Sequence, residues 1–156
     1  MNFNWKDYLD FAKSLKCFDN KTIDEAACRA SISRAYYAVY GLSCNYLCYI
    51  EKDQHLEWAI KKKNPQTIND ILDEHKSFHS YVYKQFAESN YVLDDEQSIK
   101  TKLVIADAID FLKRRRKKAD YDDRIHNIKK ETQASLTTAD EIIKNLQYLK
   151  DNIAKI

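Results

Sequence analysis

The stretch that decides the fold is AACRASISRAYYAVYGLSCNYLCYI, residues 26–50. Small and apolar side chains recur along it at steps of three and four residues, the spacing of a helix face. One side carries Ala26, Ala30, Ser33, Tyr37, Tyr40 and Cys44, and another carries Ile32, Tyr36 and Val39. An apolar surface that covers so much of the circumference predicts a central helix packed on several sides. Gly41 costs about 1 kcal/mol relative to alanine there, so it indicates a bend or a close crossing.

The segments before and after this stretch carry the same period. Asn4 precedes apolar residues at steps of three and four, which predicts a first helix with Asn4 as its N-cap. Thr22 and Glu25 predict a capping box at the start of the central helix. Beyond it, the apolar stripe from Ile68 to Phe86 predicts a third helix, and the stripe from Ile99 to Leu112 predicts a fourth.

The last helix has two candidate starting points. Its apolar residues alternate in steps of four and three from Ile142 to Ile156. Thr138 is a capping signal close to this stripe, whereas a start near Ile128 would extend the stripe backwards, and the sequence leaves both open. With one glycine and one proline in 156 residues, the chain has little material for tight turns. We therefore predict an all-α fold, an antiparallel bundle of four to five helices that forms a single domain over residues 1–156.

The composition limits the classes of function. The 26 Lys and Arg residues nearly balance 24 Asp and Glu residues and leave a net charge of +2, so any basic patch must be local. The N-terminus lacks the basic start and apolar run of a secretory signal, and Arg34, Asn45 and several tyrosines make the central helix too polar for a lipid-exposed span. We expect a soluble cytoplasmic protein without membrane contact. The cysteines lie among tyrosines and leucines, which indicates buried thiols in a reducing compartment.

Neither a metal site nor a cofactor site is predicted. His75 and His79 lie one helical turn apart, as do Cys44 and Cys48, but neither pair has the further ligands that a zinc site needs. The chain also has no glycine-rich phosphate loop and no Gly-x-Ser-x-Gly element. Nucleotide sites of the Walker or Rossmann kind are therefore excluded.

Six consecutive cations, Lys113–Lys118, occur within FLKRRRKKADYDD, residues 111–123. A cation near a helix C-terminus opposes the negative end of the helix dipole and contributes about 0.3–1 kcal/mol. One or two cations are enough for that purpose, and six adjacent ones repel one another. Two interpretations are open: a solvated helix end paired with nearby acids, or a segment that binds phosphate groups.

Two motifs resemble those of a known family. AACRASISRAYYAVY, residues 26–40, looks like the second-helix signature of HEPN domains, the higher-eukaryote and prokaryote nucleotide-binding fold. LKRRRKKADY, residues 112–121, is similar to a later segment of the small stand-alone bacterial and archaeal members, and EHKSFH, residues 74–79, is a weaker match. The resemblance implies an all-helical bundle that pairs into a homodimer. It also implies RNA cleavage in toxin–antitoxin or antiviral defence systems, or association with a partner nucleotidyltransferase.

Active HEPN ribonucleases resemble one another in an Arg-x4–6-His element. Here Arg114 or Arg116 matches the arginine, but the histidine place falls on Ala119 or Tyr121, so the sequence leaves ribonuclease activity open. Metal-free RNA cleavage needs a base, an acid and a cation. A tyrosine with a pKa of about 10 is a poor base at neutral pH, and Asp120 is the alternative. The candidate catalytic residues are Arg116, Arg114, Asp120 and Tyr121, and the candidate RNA or phosphate contacts are Arg115, Lys117, Lys118, Arg29 and Arg34.

Three hypotheses follow from these residues. The first is an RNA-acting HEPN protein, a homodimer that needs no cofactor. The second is a non-catalytic partner of a nucleotidyltransferase, because Tyr121 matches the tyrosine that receives AMP in a related toxin group. The third is a helical bundle whose basic segment is only a solvated surface.

Overall fold

Five helices are defined in the computed structural model of the chain, which describes residues 4–15, 24–54, 56–57, 77–88 and 95–153. They are α1 (Trp5–Ser14), α2 (Glu25–Tyr49), α3 (Phe78–Glu88), α4 (Glu96–Tyr121) and α5 (Ile128–Ile153). No strand occurs within these ranges, so the predicted all-α fold of four to five helices is confirmed. None of the described helices is both long enough and apolar enough to cross a membrane.

The helix starts follow from local capping. The side chain of Asn4 accepts a hydrogen bond from the amide of Lys6, so its prediction as an N-cap is confirmed. At α2 the cap is Asp24, whose carboxylate accepts from the amide of Ala27 at 2.9 Å. Thr22 lies outside the described residues, as do the start of the predicted third helix and the residues Cys17 and His75.

The open question about the last helix is settled in favour of the longer alternative. The helix α5 begins at Ile128, and Thr138 lies within it. Asn127, directly before the helix, has a φ of 55°, a left-handed conformation that asparagine tolerates better than most residues. Its carbonyl oxygen accepts from the amide of Glu131 at 3.1 Å and so begins the helical hydrogen bonds.

The chain forms two compact units, each built from parts of the long helices. The first unit comprises Met1–Leu42 and Asp107–Lys144, and the second comprises Ser43–Ala106 and Asn145–Ile156. The first unit contains every predicted site residue. A single domain over the whole chain stays a prediction.

In the first unit, α1 packs antiparallel to the beginning of α2. The hydroxyl of Ser31 on α2 donates to the carbonyl oxygen of Ala12 on α1 at 2.8 Å. Ten residues further along α2, Gly41 lies against the indole ring of Trp5, and a Cβ at this glycine would overlap the ring atoms. Gly41 therefore marks a close crossing of the two helices.

The end of α4 and the beginning of α5 complete this unit. Cys28, Ile32, Ala119 and Ile128 form a buried cluster that joins α2, α4 and the start of α5. The hydroxyl of Thr132 on α5 points to the carbonyl oxygens of Ile128 and Cys28. Three helices thus share this cluster, and α4 runs antiparallel to α2.

The second unit contains an ion pair that is almost fully buried. Lys102 on α4 and Glu51, just beyond α2, lie 2.9 Å apart with side chains that are 1% and 6% exposed. Burial, together with the negative charge and hydrogen bonding of Glu51, raises the pKa of the Tyr46 phenol far above its ordinary value. Nearby, the hydroxyl of Tyr81 on α3 donates to the carboxylate of Asp53 at 2.9 and 3.1 Å.

The cysteines within the described ranges are Cys28, Cys44 and Cys48, and all three are buried thiols. Their burial confirms that they are buried thiols, and the reducing compartment stays a prediction.

Candidate functional site

Arg29 on α2 holds the last turn of α4, the helix that carries most of the predicted site residues. Nη1 of Arg29 donates to the carbonyl oxygens of Ala119 and Asp122 at 2.8 and 2.7 Å, and Nη2 donates to that of Asp123 at 3.2 Å. The last carbonyls of a helix have no partner within the helix, and a cation there opposes the negative end of its dipole. Glu25, one turn earlier on α2, pairs with the guanidinium at 2.7 Å. Arg29, a predicted RNA or phosphate contact, thus has its donors occupied within the chain.

Arg116 is the centre of a group formed with Tyr37, Asp120 and Tyr121, here called the Arg116 cluster. Its Nε lies 2.6 Å from a carboxylate oxygen of Asp120, one turn later on α4. Its Nη2 donates to the hydroxyl of Tyr37 on α2 at 2.9 Å. The guanidinium carbon lies 5.3 Å from the ring centroid of Tyr37 and 5.6 Å from that of Tyr121. The structure therefore brings together three of the predicted catalytic residues and adds Tyr37.

The Arg116 cluster is partly open to water. The side chains of Arg116 and Asp120 are 22% and 26% exposed, whereas Tyr121 is 73% exposed. Burial lowers the pKa of Arg116, but the carboxylate of Asp120 and the phenols of Tyr37 and Tyr121 outweigh it, so the pKa is raised from its ordinary value. The cluster can hold an anion on a permanent cation, offer a carboxylate as proton acceptor and present an open aromatic ring.

The other two arginines of the basic run point elsewhere, because consecutive residues of an α-helix lie about 100° apart around its axis. Arg114, another predicted catalytic residue, is largely exposed and lies 3.5 Å from Asp110. The guanidinium of Arg115 lies over the ring of Phe111, 3.5 Å from its centroid, and pairs with Glu131 on α5 at 2.7 Å. The three arginines thus contact three separate sets of groups within one chain.

The remaining predicted RNA or phosphate contacts also lie in different surroundings. Lys117 and Lys118 follow Arg116 on α4, and both are exposed. The guanidinium of Arg34 lies 5.3 Å from the ring centroid of Tyr8 and so links α2 to α1. The two lysines are therefore open to water, while Arg34 stacks on an aromatic ring of its own chain.

Tyr37 is the member of the cluster that sequence reasoning missed as a site residue. The helical pattern assigns both Tyr36 and Tyr37 to the core, yet Tyr36 is 1% exposed while Tyr37 is only partly buried. Adjacent residues lie on different faces of a helix, so the sequence could have indicated that one of these two tyrosines lies outside the core. Which of them faces Arg116 depends on how α2 and α4 are aligned.

No ligand set for a metal ion is evident in the part of the chain that the structure describes. No group of three or more His, Cys, Asp or Glu side chains there is placed to hold a metal ion. His79 lies on α3, and His126 is exposed in the connection between α4 and α5.

Comparison of the chain with protein-family models, curated proteins and solved structures gives no match. The likeness to HEPN domains therefore rests on the two sequence motifs. The function has to be inferred from the chemistry of the Arg116 cluster and its surroundings.

Proposed function

We propose that this chain is a HEPN-type protein that binds RNA at the Arg116 cluster and cleaves it without a metal ion. The observation that carries the proposal is the cluster itself: a cation, a carboxylate and two phenols meet at the end of one helix. Each of these groups has a use in holding or cutting a ribose–phosphate strand.

The cation and the ring account for binding. A guanidinium matches the oxygens of a phosphate group because it presents donors in a fixed plane. The open ring of Tyr121 offers a face on which an unpaired base can stack. Lys117 and Lys118 add exposed positive charge beside the cluster, which attracts the strand in a salt-dependent way.

The carboxylate accounts for a step of cleavage. In metal-free RNA cleavage a base removes the proton of a 2′-hydroxyl, whose oxygen then attacks the adjacent phosphorus. Asp120 is the carboxylate next to the cation that would hold this phosphate, so it is the proposed base. Arg116 would also stabilise the negative charge that develops on the phosphate oxygens.

The proposal includes three elements that come from the family resemblance. These are a homodimer in which two copies of the cluster face one groove, a cytoplasmic location, and a role as a toxin or an antiviral-defence component. The phenol of Tyr121, from the same copy or from the second one, would donate the proton that the leaving 5′-oxygen needs when its bond to phosphorus breaks.

The test compares Arg116→Ala with Arg114→Ala, which removes the same charge from the same helix. RNA binding is measured by fluorescence anisotropy at several salt concentrations, and cleavage is followed on gels in the presence of a chelator. Arg116→Ala should weaken binding about tenfold and abolish cleavage, while Arg114→Ala should weaken binding less than about threefold. Equal losses of RNA affinity in the two variants would indicate diffuse attraction to the basic run. A wild-type protein that does not bind RNA at low salt would contradict the proposal.

A second candidate function is supported by the exposure of Tyr121. As a partner of a nucleotidyltransferase, the chain would receive AMP when this phenol oxygen attacks the α-phosphorus of ATP and diphosphate leaves. Tyr121 is 73% exposed at the end of a helix, so a second protein can reach it. After co-expression with a nucleotidyltransferase, mass spectrometry should find AMP on Tyr121 and none on Tyr49, which is also half exposed. Unmodified Tyr121 and no stable complex would exclude this candidate.

A further inference from the structure

One edge of the Arg116 guanidinium, formed by Nε and Nη2, already contacts groups of the chain. Nε lies 2.6 Å from the carboxylate of Asp120, and Nη2 donates to the hydroxyl of Tyr37 at 2.9 Å. The side chains of the ion pair are only about a quarter exposed, so water screens it less than it screens a fully open pair. A phosphate that binds at this edge of Arg116 must therefore displace the carboxylate or bind beside it.

Displacement of Asp120 by a phosphate costs free energy, because its carboxylate then lies beside another anion without its cation. Two anions side by side repel each other, and a displaced Asp120 loses the cation with which it pairs. A ligand avoids this penalty if it brings a hydrogen-bond donor next to its phosphate. The 2′-hydroxyl of ribose is such a donor, and deoxyribose has none at that position.

We propose that Asp120 is a specificity-determining residue of the Arg116 cluster, which competes with phosphate for Arg116 and thereby favours ribose phosphates over deoxyribose phosphates. The inference rests on the proposed RNA-binding function and adds how that site tells RNA from DNA. Asp120 makes binding of both nucleic acids weaker, but it weakens DNA more because only RNA can donate to the displaced carboxylate.

The chain offers a matched control on the same helix. Asp110 and Arg114 also form an ion pair one turn apart, at 3.5 Å, and both side chains are more exposed than those of the cluster. Removing either carboxylate changes the net charge by the same amount. Any effect of overall charge on nucleic-acid binding therefore appears in both variants, and only Asp120 changes the surroundings of Arg116.

The experiment measures the affinities of wild-type protein, Asp120→Ala and Asp110→Ala for two single-stranded oligonucleotides, one RNA and one DNA. Both carry the same sequence of A, C and G, so that the 2′-hydroxyl is their difference. Affinities are measured at short times, and gels give the fraction of RNA that is still uncleaved. Asp110→Ala should raise both affinities less than about twofold and leave their ratio unchanged. Asp120→Ala should raise the DNA affinity about fivefold and the RNA affinity about twofold, so that the preference for RNA falls.

Three results would overturn the inference: a wild-type protein that binds both oligonucleotides equally, an RNA preference that survives Asp120→Ala, or the same change in Asp110→Ala. RNA binding by Arg116→Ala shows whether the proposed binding site is wrong or only the role of Asp120. If Arg116→Ala does not weaken RNA binding, the site itself is wrong; if it does and the ratio still survives Asp120→Ala, only the role of Asp120 is wrong. Circular dichroism checks folding, and Asp120→Leu, which cannot accept a hydrogen bond either, replaces the alanine variant if that variant does not fold.

Discussion

Replacing Arg29 by methionine removes the guanidinium that holds the last turn of α4 and keeps most of the side chain's length. The change deletes three hydrogen bonds to backbone carbonyls, 2.7 to 3.2 Å long, and the ion pair with Glu25. Only the bond to Ala119 is partly buried, and the other contacts are exposed to water. We assign about 1 kcal/mol to that bond and a few tenths to each exposed contact, so the free energy of unfolding should fall by about 2 kcal/mol.

Urea unfolding followed by far-ultraviolet circular dichroism measures this loss. The midpoint should fall while the slope with urea concentration stays the same, because the folded state keeps its compactness. For a chain of this size, a loss of about 2 kcal/mol corresponds to a fall of about 4–8 °C in Tm. Arg34→Met is the matched control, since it removes the same charge from the same helix and loses only a stacking contact with Tyr8.

The salt dependence of RNA binding distinguishes two roles of Arg29: binding the carbonyls of α4, as in the structure, or binding RNA phosphates, as predicted from the sequence. If Arg29 binds carbonyls, its replacement should leave the slope of log affinity against log salt close to that of the wild type. Each phosphate contact adds nearly one unit to this slope. An unchanged stability together with a slope smaller by about one unit would refute the reasoning and assign Arg29 to phosphate binding.

Three further single variants and two double variants test the packing within the two units. Gly41→Ala should destabilise the protein by about 1–3 kcal/mol, because the new Cβ overlaps the ring of Trp5, and the double variant Trp5→Leu/Gly41→Ala should recover part of the loss. Lys102→Met leaves the carboxylate of Glu51 buried without its cation and should cost about 3–5 kcal/mol, whereas the double variant Lys102→Met/Glu51→Leu should cost much less. Equal costs for the single and double variants would contradict this account. Tyr81→Phe removes a hydroxyl that donates to a partly buried carboxylate and should cost about 1–2 kcal/mol in urea unfolding, and a cost near zero would show that water replaces it.

The helices were predictable because their signals are local. The cap at Asn4 and the stripe that leads through Leu112 into the basic run both appear where the sequence places them. The start of α5 was not decided by local signals, because a cap near Thr138 and a longer stripe from Ile128 satisfy the same rules. The buried contacts of Ile128 with α2 and α4 select the longer helix, and such contacts leave no local trace in the sequence.

The candidate site was predictable only in part. The sequence placed Arg116, Asp120 and Tyr121 in one segment, and their one-turn spacing brings them together on α4. It also grouped three consecutive arginines, although the helical rotation sends them to different surroundings. The partners of Arg29 and the position of Tyr37 depend on the alignment of α2 with α4, which is set by tertiary packing.

Acylation of the buried amine of Lys102 can be used to measure how often the second unit opens. Reagents that acylate lysines need a water-exposed, deprotonated amino group, and this one is 1% exposed and held by Glu51. Lys100 on the same helix has a side chain that is 63% exposed, so we expect the reagent to acylate it in the folded protein. The ratio of acylation at Lys102 to that at Lys100, read by peptide mass spectrometry, therefore reports how often the second unit opens in each variant.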